Sequence, residues 1–355
     1  MLRGHGGEIY HLARKLGLNP SEIKDHSSNV SPLPPPQGLY DLLKAHLAEI
    51  ENLPEVDSFT LREKLAQIYS LHQDQILPSS GTTEWIFGIP KILNPKRVII
   101  LGPTYSDYAD AAKQLGIRPI FILAEEETLF SPPLEDLTNR LQKKDLVFIC
   151  NPNNPTGALI PPQKLQEIIF NFPDVFFIID ESYSDFVEER ASLLDLGKPP
   201  ENTIILRSFS KIYRIPGLRL GFAIASQKLS EFLWSLFLPW NVNRLAQVAG
   251  NWLLDQKDYI IKVREFVKDE RKRILKILKD LPLKIFPSRT HFFLLKFPHK
   301  VHSLWKALLY QHHILTRDAS NIYGLNPYFL RFALRSREEN DYFCKALKEV
   351  FNENY

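Results

Sequence analysis

The stretch LVFICNPNNPTGALIPPQKLQEIIFNFPDVFFIID (146–180) decides the fold. Two apolar runs, LVFIC (146–150) and VFFIID (175–180), enclose the segment PPQKLQEIIFNF (161–172), whose apolar residues recur at helical spacing. Apart from the Asp180 that ends the second run, both runs are apolar rather than alternating with polar residues. This is typical of strands that are buried on both faces of a parallel sheet. The stretch therefore predicts a strand–helix–strand unit with parallel strands.

The same alternation of strand and helix patterns extends along the chain in both directions. Further apolar runs predict strands at RVIILG (97–102), RPIFILA (118–124), TIILRS (203–208) and LGFAIA (220–225), and SDYADAAKQLG (106–116) predicts a helix between two of them. From about residue 228 to 281 the pattern is helical, and after it short strand and helix patterns alternate. We predict an α/β fold: a large domain with a mostly parallel sheet flanked by helices, plus a smaller α+β domain.

The predicted domain boundaries follow these changes in pattern. The first 40 residues contain the proline cluster SPLPPPQG (31–38) and are interpreted as an N-terminal arm (1–40). The large domain is expected over 41–275, and the small C-terminal domain over 276–355.

Composition excludes several classes of protein. The net charge of +3 is too small to indicate a nucleic-acid partner. No apolar run approaches the roughly 20 residues of a membrane span, and MLRGHGGEIYHLARKLG (1–17) lacks the apolar core of a signal peptide. Cys150 and Cys344 have no Cys or His neighbours at metal-ligand spacing, so we predict no metal site and no disulfide framework. A cytoplasmic protein is expected.

Two polar segments suggest a site for an anion beside the sheet, because ligands of open α/β sheets bind at the carboxyl ends of the strands. In SSGTTEWIFGIP (79–90) a small-residue loop with Gly81, Thr82 and Thr83 enters a helix, whose N-terminus can bind a phosphate. An ordinary helix cap is the alternative. In NPNNPTG, Asn154 offers an amide to a ligand oxygen, and a simple turn after the strand is the alternative.

Asp180 and Lys211 are the candidate chemical groups. Asp180 ends a buried apolar run, so its carboxylate needs a partner, which can be a protonated ring nitrogen of a cofactor, a local arginine or a helix N-terminus. Lys211 lies three residues after a predicted strand, in SFSKIYRIPGLRLG (208–221). A desolvated lysine beside other cations can react with an aldehyde. Ser208, Ser210 and Arg219 suit a phosphate. A solvated surface lysine is the alternative for Lys211.

Taken in order, GTTE, PTYSDY, NPNNPTG, DESYSDF and SFSKIYRIPGLRLG resemble the class I/II aminotransferase group of fold-type I pyridoxal-phosphate enzymes, and the resemblance covers essentially the whole chain. It implies that Lys211 binds pyridoxal 5'-phosphate covalently, and that Asp180 keeps the ring nitrogen protonated. It also implies that Asn154 and Tyr183 hydrogen-bond the ring's 3' oxygen and that Tyr105 stacks on the ring. The implied phosphate contacts are Gly81, Thr82, Thr83, Ser208, Ser210 and Arg219.

The resemblance also implies where a substrate binds. Arg331, in RFALRS (331–336), matches the arginine that binds the substrate α-carboxylate in this group. The segment RGHGGEIYHLARKLGLNPSEIKDHSSNVSPLP (3–34) is similar to the N-terminus of the L-threonine-O-3-phosphate decarboxylases, a branch that serves cobalamin synthesis. By that resemblance His5, Asn29 and Arg317 are candidates for the substrate phosphate.

Other interpretations stay open. Histidinol-phosphate aminotransferases share the cofactor site, and Tyr183 favours them slightly because the decarboxylase pattern has phenylalanine there. A non-catalytic pyridoxal-phosphate-binding module is a remote alternative, since such regulators usually carry an added DNA-binding segment.

The group forms dimers, so a homodimer is expected. Relatives carry Tyr-Pro where this chain has Leu53-Pro54. Leucine cannot donate the hydrogen bond that this tyrosine gives to the cofactor phosphate of the neighbouring subunit.

Overall fold

The computed structural model describes residues 7–354 of the chain. Its strands form three sheets: one of seven strands, one of four and one of two. Over residues 7–354 the strands are β1 (Lys24–Asp25), β2 (Ile76–Ser79), β3 (Arg97–Gly102), β4 (Ile120–Leu123), β5 (Asp145–Cys150), β6 (Phe176–Asp180), β7 (Thr203–Ser208), β8 (Gly221–Ala225), β9 (Lys284–Ile285), β10 (Phe292–Lys296), β11 (Ile314–Leu315), β12 (Arg317–Asp318) and β13 (Phe329–Ala333).

Helices cover the central sheet and fill the C-terminal part. Over the same residues they are α1 (Ile9–Leu16), α2 (Leu39–Ala45), α3 (Phe59–Tyr69), α4 (Thr83–Leu93), α5 (Asp107–Gln114), α6 (Leu134–Arg140), α7 (Pro162–Asn171), α8 (Phe209–Ile212), α9 (Gln227–Trp234), α10 (Arg244–Leu253), α11 (Lys257–Leu278), α12 (Val301–His312) and α13 (Arg337–Asn354). Within the described part of the chain, no helix has both the length and the apolar character needed to cross a membrane.

The central sheet confirms the predicted α/β fold. Its strand order is β2-β8-β7-β6-β5-β3-β4, and the five strands from β7 to β4 are parallel to one another. Strand β8 pairs antiparallel with β7 on one side and with the edge strand β2 on the other. Strands β5 and β7 are buried at every residue, which explains the continuous apolar stretches at their centres.

The strand order also fixes where a ligand can bind. From β3 the chain first forms β4 on one side and then returns to form β5 on the other side. Connections that leave neighbouring strands in opposite directions open a crevice at their carboxyl ends. The segments after β3 and β5 carry Tyr105 and Asn154, so two predicted site residues flank this crevice.

The remaining two sheets join the beginning of the described chain to its C-terminal part. The four-stranded sheet has the order β12-β13-β10-β9 and is antiparallel. Strand β1 pairs in parallel with β11, and the Ala333 N–H donates to the His26 carbonyl at 3.0 Å. The segment predicted as an arm therefore extends the C-terminal part through backbone hydrogen bonds. The domain boundaries themselves stay a prediction.

Candidate active site

A cavity of about 550 Å³ lies at the carboxyl edge of the parallel strands. It brings together every site residue predicted within 7–354, although those residues come from segments spread along the whole chain. They are Asn29, Gly81, Thr82, Thr83, Tyr105, Asn154, Asp180, Tyr183, Ser208, Ser210, Lys211, Arg219, Arg317 and Arg331. His5 lies outside the described residues.

Lys211 projects from the short helix α8, directly after the buried strand β7. The side chain is half-buried. Burial is the largest influence on the amine and lowers its pKa to about 8, with further lowering by the charges of Arg219 and Arg331 and a partial offset by Asp180. A substantial fraction of neutral amine is therefore present near neutral pH, and neutral amine is the form that reacts with an aldehyde. The solvated-lysine alternative does not hold.

Asp180 is the last residue of β6 and is buried, with three hydrogen-bond donors around its carboxylate. The Ser182 N–H and hydroxyl both donate to Oδ1, at 3.0 and 2.5 Å, and the Tyr108 hydroxyl donates to Oδ2 at 2.8 Å. Neither an arginine nor a helix N-terminus is a hydrogen-bond partner of this carboxylate among the contacts of the described chain. Two of the three alternatives for its partner are thereby removed.

The loop before α4 is shaped for a phosphate. Gly81 has a φ of +84°, and a Cβ at this position would lie 2.4 Å from Nη2 of Arg219. Glycine thus gives both the left-handed backbone and the space for the guanidinium. Arg219 Nη2 donates to the Ser80 carbonyl at 3.3 Å, so the guanidinium is held beside the start of α4. A helix N-terminus, an arginine and the hydroxyls of Ser208 and Ser210 converge here, which fits the phosphate of pyridoxal 5'-phosphate.

Arg331 is buried and faces the cavity from β13. Its Nη1 donates to Oδ1 of Asn154 and its Nη2 donates to the Ser27 carbonyl. Its Nε is buried without a hydrogen-bond partner among residues 7–354. Burial, assisted by the charge of Arg317 and partly offset by Tyr183, lowers the Arg331 pKa to about 10. A buried cation in this state would gain from an anionic ligand.

Arg317 lies directly opposite Arg331 on the neighbouring strand. The β12–β13 register pairs the two residues, so their side chains leave the same face of the sheet and both reach the cavity. Like charges directly opposite each other on neighbouring strands repel. Arg317 is held in place by donating Nη2 to Oδ1 of Asn321 at 2.8 Å and Nη1 to the Asp318 carbonyl. Burial lowers the Arg317 pKa. The pair forms a strongly cationic wall.

Asn29 and Tyr183 close another part of the cavity. Both side chains are buried, and Asn29 Nδ2 donates to the Tyr183 hydroxyl at 3.5 Å. Oδ1 of Asn29 is buried without a partner in the described part of the chain. Burial raises the Tyr183 pKa, so the phenol stays protonated at neutral pH and can donate a hydrogen bond.

Sequence reasoning missed Tyr108, Ser182 and the backbone of Ser27. Tyr108 lies in the first turn of α5 and follows Tyr105, which precedes the helix, by three residues. Ser182 follows Asp180 by two residues, a spacing at which a carboxylate commonly accepts from the backbone. Both signals are present in PTYSDY and DESYSDF. The Ser27 contact has no local signal, because its partner is 304 residues away.

The chain belongs to the class I and II aminotransferase family, whose sequence profile matches residues 27–347. Members of this family are enzymes that use pyridoxal 5'-phosphate, so the class of protein and the cofactor expected from the sequence are both confirmed. The cavity agrees with this assignment, since it offers a desolvated lysine, a buried carboxylate and a phosphate cradle at one sheet edge.

Curated relatives include enzymes of cobalamin synthesis. The chain is 33% identical over 353 residues to threonine-phosphate decarboxylase of Salmonella typhimurium, covering 98% of this chain and 96% of that protein. It is 31% identical over 354 residues to the adenosylcobalamin biosynthesis bifunctional protein CobDQ of Leptospira interrogans, covering 98% of this chain. The match spans 41% of the length of that bifunctional protein.

Solved structures show the same fold. The L-threonine-O-3-phosphate decarboxylase from Porphyromonas gingivalis superimposes with a TM-score of 0.83 at 28% identity, covering 93% of this chain and all of that one. The histidinol-phosphate aminotransferase from Clostridium acetobutylicum gives 0.86 at 27% identity, with the same coverage. A histidinol-phosphate aminotransferase from Sinorhizobium meliloti, solved with pyridoxal 5'-phosphate, gives 0.89 at 19% identity, covering 98% of this chain and 95% of that one. Both branches considered from the sequence are thus represented.

Proposed function

We propose that this protein decarboxylates L-threonine O-3-phosphate. The observation that carries the proposal is the cationic wall formed by Arg317 and Arg331, which face each other across the β12–β13 register. L-Threonine O-3-phosphate carries an α-carboxylate and a phosphate on one small molecule, so it presents one anionic group to each guanidinium. The full-length similarity to threonine-phosphate decarboxylase of Salmonella typhimurium supports the same choice.

We assign roles to the cofactor-binding residues from the family resemblance and from their place in the cavity. Lys211 provides the amine that binds the cofactor aldehyde, and Asp180 provides a carboxylate for the ring nitrogen. The phosphate is held by the start of α4 together with Ser208, Ser210 and Arg219. Asn154 and Tyr183 would bind the ring's 3' oxygen, and Tyr105 would pack against the ring.

When bound, pyridoxal 5'-phosphate supplies an aldehyde for the substrate amine and a ring that accepts the electrons of the bond broken at Cα. The protein determines which bond that is by orientation. Arg331 grips the α-carboxylate through its two-pronged guanidinium, while Arg317, Asn29 and His5 hold the phosphate. Fixing both ends of a short substrate sets the direction of the carboxylate at Cα. Lys211 Nζ, with a pKa of about 8, then supplies the proton that Cα needs after CO2 leaves.

Transamination of histidinol phosphate is the second candidate. Tyr183, where the decarboxylase pattern has phenylalanine, favours it, as does the structural similarity to the Clostridium acetobutylicum enzyme. The two reactions differ in which bond to Cα lies perpendicular to the plane of the cofactor ring. For decarboxylation it would be the bond to the carboxylate, and for transamination the bond to hydrogen. Histidinol phosphate has no carboxylate, so it leaves Arg331 without its anion in the first half-reaction.

The deciding experiment offers each substrate to the purified holoenzyme. We expect CO2 from L-threonine O-3-phosphate, measured by a coupled assay, and little glutamate formation when 2-oxoglutarate is added. In a parallel reaction the enzyme receives histidinol phosphate with 2-oxoglutarate, and the glutamate formed is measured. If the enzyme turns over histidinol phosphate but not L-threonine O-3-phosphate, the proposal is overturned in favour of the second candidate.

The pH dependence of cofactor capture should report the pKa of Lys211. Because the neutral amine is the reactive form, capture of pyridoxal 5'-phosphate by the apoprotein is expected to quicken by about tenfold per pH unit up to pH ~8 and then level off. Stopped-flow absorbance measures this rate, with Lys211→Ala as the control that shows no capture. A rate that keeps rising towards the ordinary lysine value of 10.5 would contradict the assigned burial.

We also propose a cytoplasmic homodimer. Leu53, Val56, Leu238 and Trp240 are exposed apolar residues, and the Trp240 N–H donates to the Val56 carbonyl at 2.8 Å, which joins their two segments into one surface. A second copy of the chain is the occupant expected for this surface. Sedimentation analysis should give twice the mass of the chain, and Leu238→Asp should shift it towards the monomer. A monomer at all concentrations would contradict this assembly.

A further inference from the structure

The carboxylate of Asp180 is almost saturated with hydrogen bonds before any cofactor binds. An ionised carboxylate offers about four lone-pair positions, two on each oxygen. On Oδ1 both positions are taken, since Ser182 donates its N–H at 3.0 Å and its hydroxyl at 2.5 Å. On Oδ2 one position is taken by the Tyr108 hydroxyl at 2.8 Å. One lone pair of Oδ2 is left.

We infer that Tyr108 is a positioning residue that orients Asp180 towards the cofactor's ring nitrogen. By occupying one side of Oδ2, its hydroxyl determines which lone pair remains for the ring. It also fixes the plane of the carboxylate together with Ser182, because the two donors hold opposite oxygens. Tyr108 itself acts through Asp180 and has no separate chemical role.

Tyr108 is well suited to this task. Its side chain is fully buried, and its ring stacks on Phe148, with centroids 4.9 Å apart and planes at 16°. The edge of Tyr105 packs against it at 5.8 Å and 84°. Burial and the neighbouring Asp180 charge raise the Tyr108 pKa, so the phenol keeps its proton and stays a donor. The aromatic contacts fix the ring, and the ring fixes the hydroxyl.

This arrangement matters for the reaction because hydrogen bonds to a carboxylate stabilise its negative charge. A carboxylate whose charge is well stabilised leaves the shared proton on the ring nitrogen, and the protonated ring is the better electron acceptor. The inference rests on the proposed role of Asp180. It is independent of the choice between decarboxylation and transamination, which share this contact.

The test uses Tyr108→Phe, which removes the hydroxyl and retains the stacked ring. A buried hydrogen bond to a charged group is expected to contribute about a tenfold change or more. We expect the dissociation constant of pyridoxal 5'-phosphate, measured by titrating the apoprotein, to rise by about tenfold. We expect kcat to fall by a similar factor with KM for the substrate nearly unchanged. The pH titration of the bound cofactor's absorbance should also shift.

Tyr69→Phe is the matched control. Tyr69 is a half-buried tyrosine whose pKa is also raised by burial, but it packs near Phe222 and does not line the cofactor cavity. Cofactor affinity, kcat and the absorbance titration should remain those of the original protein. Equal changes in both variants would assign the effect to general loosening of the core and overturn the inference.

A double-mutant cycle with Asp180→Asn separates the possible failures. If Tyr108 acts through Asp180, adding Tyr108→Phe to Asp180→Asn should change cofactor affinity by less than about twofold, since the partner charge is already gone. Full additivity, or a Tyr108→Phe variant with unchanged affinity and spectrum, would overturn the positioning role alone. Unchanged cofactor binding and absorbance in Asp180→Asn itself would overturn the proposed role of Asp180.

Discussion

Lys211→Ala is expected to eliminate the absorbance band that pyridoxal 5'-phosphate develops when it binds covalently to the protein. The reason is that the amine of Lys211 is the desolvated nucleophile of the cavity, with a pKa of about 8. Activity should fall with it, and we expect kcat to drop by at least about 10⁴-fold, as for the loss of a covalent catalyst in other enzymes. Absorbance titration and a steady-state assay measure the two effects.

The variant should nevertheless fold. Folding lowers the Lys211 pKa from 10.5 to about 8, so the folded state disfavours the charged amine. This cost is fully present below pH ~8 and disappears as the pH rises towards the value of the unfolded chain. Alanine removes the cost, so the melting temperature at neutral pH should not fall. Lys228→Ala, at an exposed position on α9, is the control with normal absorbance and activity. A normal band in Lys211→Ala would refute the assignment of the anchor.

Arg331→Lys should have the second largest effect. Lysine keeps the charge but loses the planar fork that binds a carboxylate through two hydrogen bonds and also donates to Asn154 and Ser27. Breaking a buried, hydrogen-bonded charge pair costs about 2–5 kcal/mol. With about 1.4 kcal/mol for each factor of ten, kcat/KM for L-threonine O-3-phosphate should fall by roughly 30- to 4,000-fold.

A ligand without a carboxylate gives this prediction its control. The decarboxylation product retains the amine and the phosphate, so its inhibition constant should change much less than the substrate's kcat/KM. Arg337→Lys, at an exposed position near the start of α13, should leave both values unchanged. If Arg331→Lys impairs the kcat/KM of the substrate and the inhibition constant of the product equally, Arg331 does not recognise the carboxylate.

The sequence was sufficient to predict the parallel core of the sheet, because burial on both faces favours continuous apolar runs over alternating ones. Strands β5 and β7 are examples, and their predicted bounds differ from the observed ones by at most one residue. Strand β2 was not predicted. It has four residues including a proline and pairs antiparallel at the sheet edge. Strand β1 has two residues and exists through its pairing with β11, which is a tertiary contact with no local pattern.

The site was predictable to the extent that its residues follow strands. Asp180 and Lys211 stand at or just after the ends of β6 and β7, and their chemistry is unusual for those places. The position of Arg317 directly opposite Arg331 could not be predicted from the sequence, because it depends on the register between β12 and β13. The hydrogen bond from Tyr108 to Asp180 depends on how α5 packs against β6. Local patterns specify residue types at an edge, whereas packing specifies which of them touch.

The hydrogen bond between Ser27 and Arg331 sets an order of events during protein synthesis. The two residues are separated by 304 positions, so the ribosome must add nearly the whole chain before the second partner exists. The peptide around Ser27 can pair with β11 once that strand emerges, but until β13 follows, the substrate pocket lacks one wall. The central sheet can assemble earlier from neighbouring segments, since its strands follow one another closely along the chain. The substrate pocket is thus complete only after β13 has emerged, near the end of synthesis.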